Sequence, residues 1–347
     1  MLHSEGVSIK SLVLHKVGNK SQEEDIKLSA APVQVNEYLQ SLLLQYFLSS
    51  FKSEEYFNLT HESDLSLNEV YRFVSQIFDQ SGSFYEQSVN LARHLYEEST
   101  HPKIKGGEFY VVYLQNCIVD GEEVDAIGLF KSESKETFLK VYPTTDNFEI
   151  ESEDGININK LDKGCLIFNT ERENGYLVSV VDNVRASGEA AYWRDSFLNI
   201  TQRRDNFHQT KECLDMCKQF VTERLPENFS VNKVDQADML NKSMQFFKEN
   251  DAFSLDNFTT QVMQQPEVIK SFKDYKEEYE ADRDVRIGEE FDISDSAVKK
   301  QAKVYKSVIK LDKNFHIYVH GNRQLIEKGY DDDRDMQFYK IYYNAES

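Results

Sequence analysis

Long apolar runs are missing from this chain. Nowhere do about 18 apolar residues follow one another, so no helix is expected to cross a membrane. The four cysteines, Cys117, Cys165, Cys213 and Cys217, are too few in 347 residues for a disulfide framework. Only 5 prolines and 14 glycines occur, and with 40% apolar residues this excludes a disordered or linker-like chain. The first residues include His3 and Glu5 and lack a basic stretch followed by an apolar one. No signal peptide is therefore expected, and the cytoplasm is the expected address. Catalytic signatures are missing too: there is no G-x-x-x-x-G-K-[ST], G-x-G-x-x-G, G-x-S-x-G or H-E-x-x-H. No enzyme activity, metal or cofactor is expected on this evidence. Positive charge is scarce, with 40 Lys and Arg against 60 Asp and Glu, a formal net charge of −20. Such a chain repels polyanions at long range.

What is present reads as an α+β protein. Apolar residues recur at helical spacing from Pro32, which suits a helix N1 position, through Phe47. Two further amphipathic helices are expected near residues 67–80 and 83–99, the second opened by Ser83 and Glu86 as a capping box. Leu2–Lys16 alternates weakly and reads as a strand. Between Gly106 and Asp182 the period drops to two, and EFYVVYLQN, VDAIGLFK, ETFLKVY, CLIFNTE and YLVSVVD read as five strands. Asp120-Gly121 and Asn174-Gly175 fit tight turns that need positive φ, so an antiparallel meander is expected. The helical period returns over residues 192–200 and 205–224. Pro226 then interrupts, and residues 227–233 read as a junction. The expected division is an N-terminal α+β domain, 1–226, with helices at about 32–99, a sheet at about 106–182 and helices at about 190–224. A mostly helical C-terminal α+β domain, 227–347, ends in a small β-sheet formed by residues 307–312, 315–320 and 337–343.

Three constellations have plain structural readings. Cys213 and Cys217, four apart on a helix near His208, share an apolar stripe with Leu214, Phe220 and Val221, so core packing is expected over metal ligation. His316 and His320 share one face of a strand, where solvent exposure is the ordinary state. The run Asp331-Asp332-Asp333-Arg334-Asp335 lacks the spacing and glycine of a calcium loop and fits a charged hairpin turn.

The segment KKQAKVYKSVIKLDK is different. It gathers Lys299, Lys300, Lys303, Lys306, Lys310 and Lys313 against one acid, Asp312. Lys299, Lys303 and Lys306 can lie along one side of a short helix capped by Ser294, with Lys300 nearby. Arg203-Arg204 forms a second, smaller basic pair. Such an array suits phosphate neutralisation, while its ordinary alternative is a solvated face.

The chain resembles the bacterial nucleoid-associated proteins of the YejK/NdpA type. The resemblance runs through five stretches: SLVLHKV, GGEFYVVYLQ, GCLIFNTERENGYLVSVVD, AAYWRDSFLNI and EFDISDSAVKKQAKVYKSVIKLDKNFHIYV. In that family the fourth holds an aromatic before a basic residue and a Phe-Leu pair, here Tyr192, Trp193, Arg194, Phe197 and Leu198. The resemblance implies a cytoplasmic, nucleoid-associated, non-enzymatic protein that binds double-stranded DNA. Lys299, Lys300, Lys303, Lys306, Lys310, Lys313, Arg203 and Arg204 are then the expected phosphate contacts, with self-association adding avidity. The alternative is an acidic protein–protein interaction module that meets nucleoid or replication proteins, or mimics DNA.

Overall fold

The computed structural model describes residues 5–183, 192–303, 305, 308–318 and 325–345. The chain divides into two compact units, Met1–Arg203 and Arg204–Ser347.

The first unit contains β1 (Ser8–Val17), β2 (Ile26–Lys27), α1 (Glu37–Leu48), β3 (Phe57–Leu59), α2 (Glu69–Asp79) and α3 (Phe84–Glu98). There follow β4 (Gly107–Val119), β5 (Glu122–Ser132), β6 (Glu136–Pro143), β7 (Phe148–Gly155), β8 (Lys163–Phe168) and β9 (Leu177–Asp182). A wide, π-type helical segment, Tyr192–Leu198, leads to β10 (Ile200–Gln202). Eight strands form one antiparallel sheet in the order β10-β3-β9-β8-β5-β4-β1-β2. Both of its faces are covered. Phe109, Val111 and Tyr113 pack against α2 and α3, and the alternate Tyr110, Val112 and Leu114 pack beneath α1. Two-sided burial explains why apolar residues fill both alternating sets of β4 positions. The Asp120-Gly121 turn forms as expected, with φ of 51° and 82°, whereas Asn174 ends a short 3-10 turn, Arg172–Asn174, in a longer loop, and of that pair only Gly175, its C-cap, takes a positive φ, 95°. At Gly175 a Cβ would lie 1.9 Å from the Leu59 carbonyl oxygen, so only glycine fits.

Several local expectations change. Helix α1 starts at Glu37 and not at Pro32, because Asn36 caps it: its Oδ1 accepts from the Leu39 amide at 2.8 Å. Ser83 makes no capping bond; its hydroxyl donates to the Gln80 carbonyl at 2.8 Å and closes the preceding turn. The ETFLKVY strand leaves the main sheet and pairs instead with β7, which the sequence reading missed.

The second unit contains α4 (Asn206–Gln219), a π-type turn (Phe220–Arg224), α5 (Leu225–Asn228), α6 (Lys233–Glu249), β11 (Ala252–Ser254) and α7 (Leu255–Phe258). After a second π-type turn, Thr259–Met263, come α8 (Pro266–Arg283), β12 (Glu290–Asp292) and α9 (Asp295–Ala302). Two hairpins close the chain: β13 (Val308–Leu311) with β14 (Phe315–Tyr318), and β15 (Ile326–Asp331) with β16 (Met336–Ile341). The break between units falls at Arg203/Arg204 and not at Pro226. Pro226 sits near the start of α5, and helical backbone runs through Arg224 into it, so it does not separate the units. Helix α4 therefore belongs to the second unit, where Cys213, Leu214, Cys217, Phe220 and Val221 join the core of α6, α7 and α8.

Candidate nucleic-acid interface

Helix α9 turns a composition bias into a surface. Ser294 caps it, its Oγ accepting from the Ala297 amide at 3.4 Å. Ala297, Val298 and Gln301 are buried, which leaves Lys299, Lys300 and the C-cap residue Lys303 together on the opposite, exposed face. Lys300 lies over the Phe207 ring, 5.5 Å from its centroid. Among the described residues, Lys299 and Lys303 have no carboxylate within ion-pair distance. Asp295 in the first turn and the lysines in the last also complement the helix dipole.

The β13–β14 hairpin continues the basic surface by alternation. Ile309, Leu311 and Ile317 turn inward onto Val234 and Ala237 of α6. Lys310 stands opposite His316 in the ladder, so both occupy the outer face with Tyr318, which is 56% exposed. Lys313 is exposed in the connecting turn, where Asp312 takes a φ of 49°. Helix α6 contacts both α9 and β13 and so anchors the two basic elements on one scaffold. Lys306 and His320 lie outside the described residues.

The arginine pair has a different character. Arg203 is held by Asp120 at 3.0 Å and Glu171 at 2.5 Å, with its guanidinium 6.0 Å from the Tyr56 ring centroid. Arg203 ends the first unit, and the exposed Arg204 begins the second. The family-like Tyr192–Leu198 segment is core. Trp193 is fully buried against Phe197, ring centroids 4.9 Å apart, and Arg194 stacks on Phe57 at 5.0 Å.

The sequence reading missed a buried ionic cluster in the first unit. Lys131 and Lys163 are register partners on β5 and β8, and both are buried. Lys131 Nζ meets Glu133 at 3.0 Å and donates to the Lys105 carbonyl at 2.8 Å; Lys163 Nζ meets Asp182 at 2.8 Å. The Tyr192 ring lies beneath both ammonium groups, at 5.4 and 5.3 Å, while its hydroxyl donates to Glu133 at 2.8 Å. Burial holds the Lys131 ammonium below its ordinary pKa range, against the raising effect of Glu133. Lysines at the ends of two apolar runs were the one visible signal.

The remaining constellations behave structurally. Cys213 and Cys217 are fully buried, and burial pushes the Cys217 thiol up. His208 is buried beside Glu212, and desolvation lowers its pKa. Asp331 accepts from the Asp333 and Arg334 amides, both at 3.1 Å, and so folds the acid run into the β15–β16 turn. Among the described residues, no three or more His, Cys, Asp or Glu side chains are grouped to hold a metal ion. No described helix is long and apolar enough to cross a membrane.

Compared with known proteins, residues 13–336 match the family model described as nucleoid-associated protein YejK. No curated protein matches the chain.

Proposed function

The chain belongs to the nucleoid-associated protein YejK family, and on that premise we propose that it binds double-stranded DNA at the nucleoid, without catalysis and without reading base sequence. The observation that supports this is the clustering of Lys299, Lys300 and Lys303 on one exposed helical face, with Lys310 and Lys313 exposed on the adjoining hairpin. Lysine ammonium groups on exposed stems neutralise phosphates as point charges, without the rigid fork of a guanidinium. Lys306 and Arg204 extend the proposed set. Arg203 is left out, because two carboxylates already hold its guanidinium.

The test is the affinity for a random-sequence duplex measured against salt. Each phosphate contact adds about 0.9 to the steepness of log K against log salt. Lys300→Glu/Lys303→Glu should weaken binding at every salt concentration and flatten that slope by about 2. Arg203→Ala should leave the slope unchanged. Absence of binding at low salt, or an unchanged slope in the lysine variant, overturns the assignment.

The acidic interaction module retains one supporting observation, the net charge of −20. Pull-down from nuclease-treated lysate separates the readings. Proteins retained by wild type and by the lysine variant alike support the module; capture lost with the nucleic acid supports DNA binding.

A further inference from the structure

The β6–β7 hairpin of the first unit is two-faced. Its strands pair in the register Val141 with Ile150, Lys140 with Glu151 and Tyr142 with Glu149. Opposed residues share a face, so Leu139, Val141, Pro143, Phe148 and Ile150 line one side. Glu136, Phe138, Lys140, Tyr142, Glu149, Glu151 and Glu153 line the other, where Lys140 pairs with Glu153. Phe138 on the charged side is partly covered by its own hairpin, its ring 3.3 Å from the Cβ position of Gly155. The apolar side has no such cover. Leu139 is 73% exposed, Val141 58%, Phe148 66% and Ile150 68%. Among the described residues, both strands pair with nothing but each other.

We propose that this apolar face is the self-association surface of the chain, packing against the same face of a second copy about a two-fold axis. Charge selects the occupant. On a chain of net charge −20, another acidic copy is repelled wherever acids face acids. The only charge in the register of the apolar face is Asp154, at the open end, where it accepts from the Thr137 hydroxyl at 2.8 Å. A basic partner would be drawn to the glutamates of the reverse face. A two-fold axis presents identical patches to each other and turns both glutamate faces outward. The four exposed side chains offer on the order of 500 Å² per chain, so two copies bury on the order of 1,000 Å², where specific interfaces begin. Face-to-face packing of two such ribbons is the arrangement of stacked sheets. This inference goes beyond the DNA-binding reading and is tested without DNA, so either can fail alone.

The experiment is sedimentation equilibrium of the full chain, free of nucleic acid, at low and high salt. The expected result is a dimer at micromolar protein, with the dimer fraction rising as salt screens the repulsion. Val141→Glu/Ile150→Glu should sediment as a monomer with an unchanged melting temperature, and Glu149→Gln on the reverse face should remain dimeric. Wild type that stays monomeric at high salt, or a double variant that stays dimeric, overturns the proposal. A second arm needs no disruptive substitution. The natural cysteines are all buried, so Ile150→Cys adds one accessible thiol. A short bis-maleimide should join two copies through it, and should not do so through Glu151→Cys on the other face. Absence of the Ile150→Cys cross-link also overturns the proposal.

Discussion

Lys131 and Lys299 carry the same ammonium group into opposite surroundings. Lys131 is enclosed with Glu133 and Tyr192, whereas Lys299 stands exposed on α9. Removing one partner of a buried pair strands the other charge, at about 3–5 kcal/mol. Lys131→Met should therefore lower stability by that amount in urea denaturation, and Lys299→Met should leave the unfolding midpoint unchanged. His15 gives a pH-dependent counterpart. Its Nδ1 accepts from the Ser29 amide and its Nε2 lies 3.2 Å from Ser88 Oγ, whose own proton goes to the Tyr85 carbonyl. That network requires a neutral ring, and burial lowers the pKa from 6.5 to about 4. The unfolded chain then binds the extra proton first as pH falls. Stability is full above about 6.5 and is lost between about 6.5 and about 4, by an amount on the order of 3 kcal/mol. Urea midpoints across that window should fall more steeply for wild type than for His15→Gln.

At the level of elements, α9 is where cap, dipole and charge combine. Ser294→Ala removes the acceptor for the first turn and should cost about 1 kcal/mol. Because the lysines sit at the far end of this eight-residue helix, fraying should also weaken DNA binding more than a cap loss elsewhere would. Fluorescence anisotropy on the same duplex checks that. Element types were largely legible in the sequence: α2, α3, α6 and α8 follow apolar periodicity, and β4, β5, β8 and β9 follow their β-branched and aromatic runs. Boundaries that depend on one hydrogen bond were not. Asn36 displaced Pro32 as the opener of α1, and Ser83 spent its hydroxyl on the previous turn. Strand β7 was missed although Phe148 and Ile150 alternate with Glu149, Glu151 and Glu153. An acidic strand with one uncovered apolar side has no core to announce it. The lysine segment was legible as a charge run, and its shared face follows from helical spacing. The neutralisation of Arg203 was not, since Asp120 and Glu171 lie 83 and 32 residues away in sequence.

At the level of the whole molecule, salt should move the two proposed associations in opposite directions. DNA binding releases counterions and weakens with salt, by a power of about 0.9 per phosphate engaged. The proposed self-association through β6–β7 would bring together two particles of charge −20 across a face whose one charge is Asp154, so it should strengthen as the screening length falls from about 10 Å at 0.1 M to about 3 Å at 1 M. On that proposal the acidic remainder would keep free copies apart at low salt and confine their contact to one face. On DNA, a dimer presents two lysine surfaces on one particle, and a weak phosphate contact is multiplied by effective concentration. The variants should separate cleanly. Lys300→Glu/Lys303→Glu should flatten the salt slope for DNA while sedimentation still gives a dimer. Val141→Glu/Ile150→Glu should give a monomer whose salt slope is roughly half that of wild type, since about half as many phosphates are engaged per particle. A monomeric hairpin variant with the full wild-type slope and affinity would show that the lysine surface works alone, and would uncouple dimer formation from DNA binding.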